Sequence, residues 1–187
     1  MSDVDVKKEQ STFKVAINLI GACLISGVIL GSVYFVTAPI AAEKSKMMTQ
    51  QSMKALVTEA DNFKAVSGKD QWFTAEKDGK IIAYVVPGES KGYGGAIKML
   101  VAVSSDGKVI DYSILTSNET PGLGSKAAEE PFKSQFKGKK ADTLTVTKEA
   151  SNTENIQALT GATISSKAVT LAVKNAVEEV VEFTGGK

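Results

Sequence analysis

Hydroxyl side chains cluster near the C-terminus in the segment Leu159-Thr160-Gly161-Ala162-Thr163-Ile164-Ser165, directly before a long amphipathic stretch. We predict that the stretch is a helix and that this segment forms its first turn. Unpaired backbone N–H groups and the positive end of the dipole at a helix start favour an anion, and small residues let a ligand approach the main chain. The pattern therefore indicates a phosphate site, although a hydroxyl turn in this place is more often only a helix cap.

Two other segments carry residue types that could surround a cofactor. Gly92-Tyr93-Gly94-Gly95 precedes a predicted hairpin, and Glu119-Thr120-Pro121-Gly122-Leu123-Gly124 follows it. Taken singly, the first could be only a flexible hairpin loop. The second could be a type II turn with proline and glycine at its central positions, and its glutamate would then be an ordinary surface acid.

The three segments together, in this order, resemble the FMN-binding domain family of the Rnf G subunit and of the C subunit of the sodium-pumping quinone reductase. In that family the last threonine of a Thr/Ser-Gly-Ala-Thr motif carries FMN through a phosphoester bond, and here that residue is Thr163. The resemblance implies that Thr160 and the main chain around Gly161 and Ala162 contact the phosphate. The N–H groups that it assigns to the phosphate are those from Ala162 to Ser165. It also implies that both loops reach the flavin ring through Gly92, Tyr93, Gly94, Glu119, Thr120, Leu123 and Gly124.

One position departs from the family's pattern, and one further lysine is a candidate site residue. Gln157 stands where many members of the family have an aspartate, three residues before the first hydroxyl of the motif. If the flavin transferase needs that carboxylate, attachment is expected to be slower here. Lys148 is a candidate cation beside the ring that would favour an anionic reduced flavin, or else a solvent-facing lysine at a strand end.

Composition excludes several other kinds of site. The 187 residues contain no histidine, and all 22 basic residues are lysines, so a histidine base and an arginine clamp are both absent. An anion must be held by main-chain N–H groups, hydroxyls, lysine or a covalent bond. The single cysteine, Cys23, excludes an internal disulfide and a cysteine-ligated metal site. A net charge of +1 with basic residues spread along the chain does not indicate nucleic-acid binding.

An uncharged run from Val15 to Ala42 exceeds the roughly 20 residues that a helix needs to cross a bilayer. We predict one transmembrane helix at 15–37, after a tail at 1–14 whose cytoplasmic location is implied by the resemblance. A cleaved signal peptide, with Cys23 as a lipidated N-terminus, is the alternative, but the apolar run continues well past that cysteine. Lysines flank both ends about equally, so charge does not set the orientation. The resemblance implies a single-pass protein of the inner (cytoplasmic) membrane with the domain outside.

The remainder of the chain predicts an α+β domain. A helical stalk at 38–62 precedes the FMN-binding domain at 63–187, with strands at 72–76, 81–87, 96–104 and 109–117. Asp78-Gly79 and Asp106-Gly107 predict tight hairpins, so the sheet should be largely antiparallel with flanking helices. Further predictions are a helical patch at 125–136 broken by Pro131, a strand at 144–148 and a helix at 165–183.

The resemblance implies a function without an independent catalytic activity. The chain would relay electrons through covalent FMN within a membrane-bound, ion-translocating ferredoxin:NAD oxidoreductase. Its implied partners are the other Rnf subunits, the membrane and a flavin transferase for maturation. Two alternatives stay open: a membrane-anchored FMN protein of another reductase or extracellular electron-transfer chain, and a non-redox assembly subunit with an empty pocket.

Overall fold

The computed structural model describes residues 3–149 and 151–185, with side chains from residue 12 onward. Residues 1 and 2 of the predicted tail, and residues 150, 186 and 187 of the predicted domain, lie outside the described residues. The chain forms two compact units, Met1–Met47 and Met48–Lys187.

The first helix, α1, extends over Asp3–Leu56 and includes the predicted membrane span. Its large apolar side chains between Phe13 and Ile40 are exposed all around the helix. A helix that is apolar on every face is suited to lipid. The part from Thr12 to Leu56 is long and apolar enough to cross a membrane, with a mean hydropathy of 2.2 in its most apolar window. The helix ends at Leu56, before the predicted end of the stalk at residue 62.

Five antiparallel strands form the main sheet of the second unit, in the order β1-β2-β3-β4-β5. Their bounds are Asn62–Ala65, Phe73–Lys77, Lys80–Lys91, Ala96–Ser104 and Val109–Thr116. Asp78 and Gly79 both have positive φ, at 51° and 75°, as the tight turn predicted between β2 and β3 requires. The α+β class and the antiparallel sheet are thus confirmed, whereas β1 was not predicted.

Both faces of this sheet are covered, because side chains alternate along the strands. On β4, Ile97, Met99, Val101 and Val103 belong to the core shared with the C-terminal helix α2, which extends over Thr163–Phe183. Leu100 and Ala102, between them, belong to a second core. The end of α1 closes this second core with the buried side chains Met53 and Leu56, and Val57 follows.

The connection from β5 to α2 is irregular. The predicted helical patch consists of two 3-10 turns, Gly124–Ala128 and Lys133–Phe136, on either side of Pro131. Proline lacks an N–H and restricts the residue before it, so a continuous helix does not form here. A third 3-10 turn covers Ala141–Thr143. The chain then adds a parallel pair of short strands, β6 at Val146–Thr147 and β7 at Ile156–Gln157.

Candidate flavin site

The three segments singled out in the sequence meet at one cavity of about 500 Å³. A volume of this size is within the range of small-molecule sites. Each segment contributes to the lining, which consists of Tyr93, Glu119, Thr120, Leu123, Gly124, Gly161, Ala162, Thr163, Ile164 and Ser165. Among the described residues, Glu119 is the only charged one in this lining, so none of the described lysines lines the cavity to hold an anion.

The first turn of α2 forms one end of the cavity. The helix begins at Thr163 and its N-cap is Ala162, so no side chain caps it. Gly161, with φ of 77°, turns the chain into the helix. The N–H groups of the first turn have no partner within a helix, and here no capping side chain replaces one. The segment is therefore not an ordinary hydroxyl N-cap, and its N–H groups can bind an anion.

The hydroxyls of this turn differ in their surroundings. Ser165 and Ser166 are buried; Ser165 donates to the Glu119 carboxylate, and Ser166 donates to the Ala162 carbonyl oxygen at 2.9 Å. Thr160 is exposed and does not line the cavity. Thr163 is half-buried and does line it. The geometry thus distinguishes four neighbouring hydroxyls that the sequence shows only as a cluster.

Glu119 is not a surface acid, because its side chain is buried with 8% of the residue exposed. One carboxylate oxygen accepts the Gly94 N–H at 2.8 Å, and the other accepts the Ser165 hydroxyl. These partners belong to the other two segments. Glu119 therefore joins all three walls of the cavity.

The segment around Pro121 is the type II turn that its sequence suggested, and it also lines the cavity. The Leu123 N–H donates to the Thr120 carbonyl oxygen at 3.1 Å, and Gly122 has the positive φ of 75° that such a turn needs. The turn places Thr120 and Leu123 in the lining, so the two interpretations of this segment are compatible.

Close packing between protein segments explains the glycines of the first loop. A Cβ on Gly92 would clash with the Glu119 carboxylate, and one on Gly94 would clash with the backbone oxygen of Asn118. Neither glycine lines the cavity. Their role in this structure is to bring the loop against the Glu119 turn, and any contact with flavin remains a prediction.

Two other predicted residues also lie outside the lining. Lys148 follows β6 and is exposed, which is the position of a solvent-facing lysine at a strand end. Gln157 lies on β7 with its side chain exposed, and its backbone N–H donates to the side-chain oxygen of Gln135 at 2.7 Å. Like the exposed Thr160, neither residue lines the cavity, and their effects on the flavin remain predictions.

Apolar side chains form an exposed rim around the cavity. Tyr93 is 73% exposed, Leu123 is 45% exposed and Ile164 is 55% exposed. Such surfaces suit the faces of an aromatic ring, and the uncapped helix start suits a phosphate, so the site fits FMN. The main-chain N–H groups of Ile164 and Ser165 belong to the predicted phosphate turn, but their side chains were not predicted to line the site. Their place in the first turn after Thr163 was the only signal in the sequence that could have identified them.

The second unit is similar to proteins of a known cofactor-binding class. Residues 92–178 match the model of the FMN-binding domain family, a range that contains all three segments. The most similar solved structures include the C subunit of the Na(+)-translocating NADH-quinone reductase of Parabacteroides distasonis, at 26% identity and a TM-score of 0.52. That match covers 62% of this chain and 63% of the other. The second unit therefore contains an FMN-binding domain.

Two relatives extend over nearly the whole chain. The G subunit of the proton-translocating ferredoxin:NAD(+) oxidoreductase complex of Clostridium ljungdahlii is 58% identical, with 97% of this chain and 98% of the relative covered. The G subunit of the Na(+)-translocating complex of Acetobacterium woodii is 32% identical, with 89% and 90% covered. The chain belongs to the family of G subunits of ion-translocating ferredoxin:NAD(+) oxidoreductase complexes, which confirms the resemblance drawn from the three segments.

Proposed function

We propose that this chain relays electrons within an ion-translocating ferredoxin:NAD(+) oxidoreductase complex through an FMN that is esterified to Thr163. The observation that carries the covalent assignment is the position of Thr163. It is the first residue of α2, it is half-buried, and it lines the cavity beside the uncapped N–H groups of the helix. An oxygen there can enter a phosphoester while the phosphate charge remains next to the positive end of the helix dipole.

The neighbouring hydroxyls are poorer candidates for the same bond. The Ser165 and Ser166 hydroxyls are buried and already donate to protein acceptors. Thr160 is accessible but is not part of the lining. Attachment to Thr163 requires no buried hydrogen bond to be broken.

The residues of this chain hold and orient the cofactor. Bound FMN supplies one- and two-electron redox chemistry, which is the cofactor's own. Tyr93, Leu123 and Ile164 provide the apolar surface for its ring. A covalent bond would keep the flavin attached outside the cytoplasm, where a lost cofactor could not be replaced from a cellular pool.

Within the proposed complex, this chain transfers electrons and not ions. The span from Val15 to Ala42 contains no Asp, Glu, Lys or Arg, so it offers no carboxylate for ion translocation. We therefore assign α1 to anchoring the chain in the cytoplasmic membrane, with the FMN domain on the outer side. Other Rnf subunits would supply the electron donor, the acceptor and the ion path. A flavin transferase would supply the flavin phosphate in activated form.

Intact mass spectrometry tests the attachment. The full chain, made with a flavin transferase, should gain the mass of FMN less one water, because the ester replaces the hydroxyl hydrogen of Thr163 and one hydroxyl of the phosphate. Thr163→Ala should abolish this increment after denaturation in acid, which releases flavin that is only bound. Thr160→Ala is the matched control and should keep the increment. Retention of the increment in Thr163→Ala would identify another attachment residue, and its absence from the parent would refute the covalent proposal.

A separate experiment tests the membrane topology. Removal of residues 1–42 should release a soluble domain that still accepts flavin, since Met53, Leu56 and Val57, which belong to the core of the second unit, are retained. In a chain that carries Cys23→Ala, a thiol-reactive probe that does not cross membranes should label Ser151→Cys, at an exposed position, in intact cells. Labelling only after the membrane is broken would place the domain on the cytoplasmic side.

A further inference from the structure

The Glu119 carboxylate occupies the point where the three walls of the cavity meet. It accepts the Gly94 N–H from the first loop and the Ser165 hydroxyl from the first turn of α2. These partners are 25 and 46 positions away along the chain, so neither contact stabilises a local turn. Both hydrogen bonds connect segments that are far apart in sequence.

Two glycines pack closely against this carboxylate. A Cβ on Gly124 would come within 2.6 Å of one Glu119 carboxylate oxygen and 2.5 Å of the Ser165 hydroxyl oxygen. A Cβ on Gly92 would clash with the other carboxylate oxygen. Two glycines are thus required on either side of one buried acid. A side chain at either glycine would displace the Glu119 carboxylate.

We propose that Glu119 is a positioning residue, which fixes the Gly94 loop and the start of α2 relative to each other before flavin is attached. This proposal rests on the proposed flavin site at Thr163, which is two residues from Ser165. Because the Ser165 side chain is held by Glu119, the first turn of α2 is held where Thr163 lines the cavity. A ligand then enters a site whose walls are already in place, and less ordering accompanies its binding.

Glu119→Gln and Glu119→Ala separate hydrogen bonding from other effects of the acid. A glutamine can accept the Gly94 N–H through its oxygen and donate to the Ser165 oxygen through its amide, so it can retain both links. Alanine retains neither. Glu129→Ala, at an exposed acid outside the lining, is the matched control. Ser165→Ala removes only the link to α2 and serves if Glu119→Ala does not fold.

Hydrogen exchange of the full chain in detergent, followed by mass spectrometry, tests the effect of these two hydrogen bonds in the absence of flavin. In Glu119→Ala, two peptides should exchange roughly 10- to 100-fold faster, as expected when a hydrogen bond to a charged group is lost. The first covers residues 92–95, and the second covers residues 166–170, whose amides follow the unpaired N–H groups of the first turn and are hydrogen-bonded within α2. Ser165→Ala should accelerate exchange only in the second peptide. Glu119→Gln and Glu129→Ala should exchange like the parent. Parent-like exchange in Glu119→Ala, or fast exchange in the flavin-free parent that slows only after attachment, would overturn the proposal.

Flavin attachment provides a second readout. With the transferase, Glu119→Ala should load flavin more slowly than the parent and Glu119→Gln should restore the rate, whereas a general loss of stability would not be rescued in this way. If the parent never carries flavin, the proposed function fails while the exchange result still stands. If the parent loads and Glu119→Ala loads at the same rate, the positioning role is refuted and the flavin site is not.

Discussion

Replacement of Gly124 by alanine tests whether the cavity depends on close packing between its walls. The added Cβ would lie 2.5 Å from the Ser165 hydroxyl oxygen, 2.6 Å from a Glu119 carboxylate oxygen and 2.9 Å from the Glu119 Cβ. Contacts this short cannot persist, so at least one of these buried side chains must move. The backbone itself is not strained, since Gly124 is not among the glycines with positive φ.

The loss of stability in Gly124→Ala depends on which side chain moves. Overpacking a well-packed site typically costs about 1–3 kcal/mol. Loss of the hydrogen bond between Ser165 and Glu119, which involves a charged group, would cost about 1.5–3 kcal/mol. A domain of this size has a stability of roughly 5–15 kcal/mol, so the variant should fold. Its melting temperature should fall by roughly 2–4 °C for each kcal/mol lost.

Gly122→Ala is the matched control, two residues away in the same turn. A Cβ there meets nothing within 4 Å, but φ is 75°, which costs a non-glycine residue roughly 1–2 kcal/mol. The two variants should therefore lose similar amounts of stability for different reasons. Only Gly124→Ala disturbs the link between Glu119 and Ser165, so only this variant should load flavin slowly or change the flavin spectrum.

The assay combines thermal unfolding of each full chain with its flavin yield and absorbance spectrum after incubation with the transferase. Normal loading and an unchanged spectrum in Gly124→Ala would refute the argument that this glycine preserves the cavity. Equal loss of loading in both variants would mean that turn strain, and not the contact with Glu119 and Ser165, governs the site.

Three further predictions concern the scaffold. Leu56→Ala should lower the free energy of unfolding by about 2–5 kcal/mol in denaturant titrations, because Leu56 is buried beneath the sheet; an effect below 1 kcal/mol would argue against that packing. Tyr112→Phe should lower the free energy of unfolding by about 1–3 kcal/mol in the same titration, because the buried Ala127 carbonyl oxygen loses the hydroxyl that donates to it. An unchanged free energy of unfolding would contradict this prediction. Hydrogen bonds from the Lys108 ammonium and the Ser104 hydroxyl lower the pKa of Asp106 from 3.8 to about 2. The carboxylate therefore stabilises the folded state above about pH 4 and loses this effect as the pH falls toward 2. The difference in melting temperature between the parent and Asp106→Asn should be present at pH 6 and shrink near pH 2. A difference that does not change with pH would show that ionisation of Asp106 does not stabilise the fold.

The sequence by itself determined the features whose causes are local. The uncharged run defined the apolar part of α1, and alternation with Asp-Gly turns defined four of the five strands of the sheet. Apolar spacing defined α2 to within two residues of its start. These signals succeed because hydrophobic periodicity and turn chemistry operate over a few neighbouring residues. The order of three short motifs was likewise enough to identify the family.

At two elements the local sequence pattern did not predict the observed structure. β1, at Asn62–Ala65, is short and mostly exposed, so it has no buried face that would give an alternating pattern. It exists because β2 pairs with it. The patch near Pro131 has helical composition, but the structure contains separate 3-10 turns there. Pairing and packing outweigh weak local preferences in such segments.

Only the tertiary structure decided how the site is built. A glutamate in a Pro-Gly turn looks like a surface acid in sequence, and it becomes a buried link because Gly94 and Ser165 arrive from distant parts of the chain. The same packing separates Thr163, which lines the cavity, from hydroxyls that bond to protein or face solvent. Hydrogen bonds between residues tens of positions apart form only when the chain has folded. Residue spacing can therefore indicate the chemistry of a site, but it cannot determine which neighbouring side chain faces the ligand.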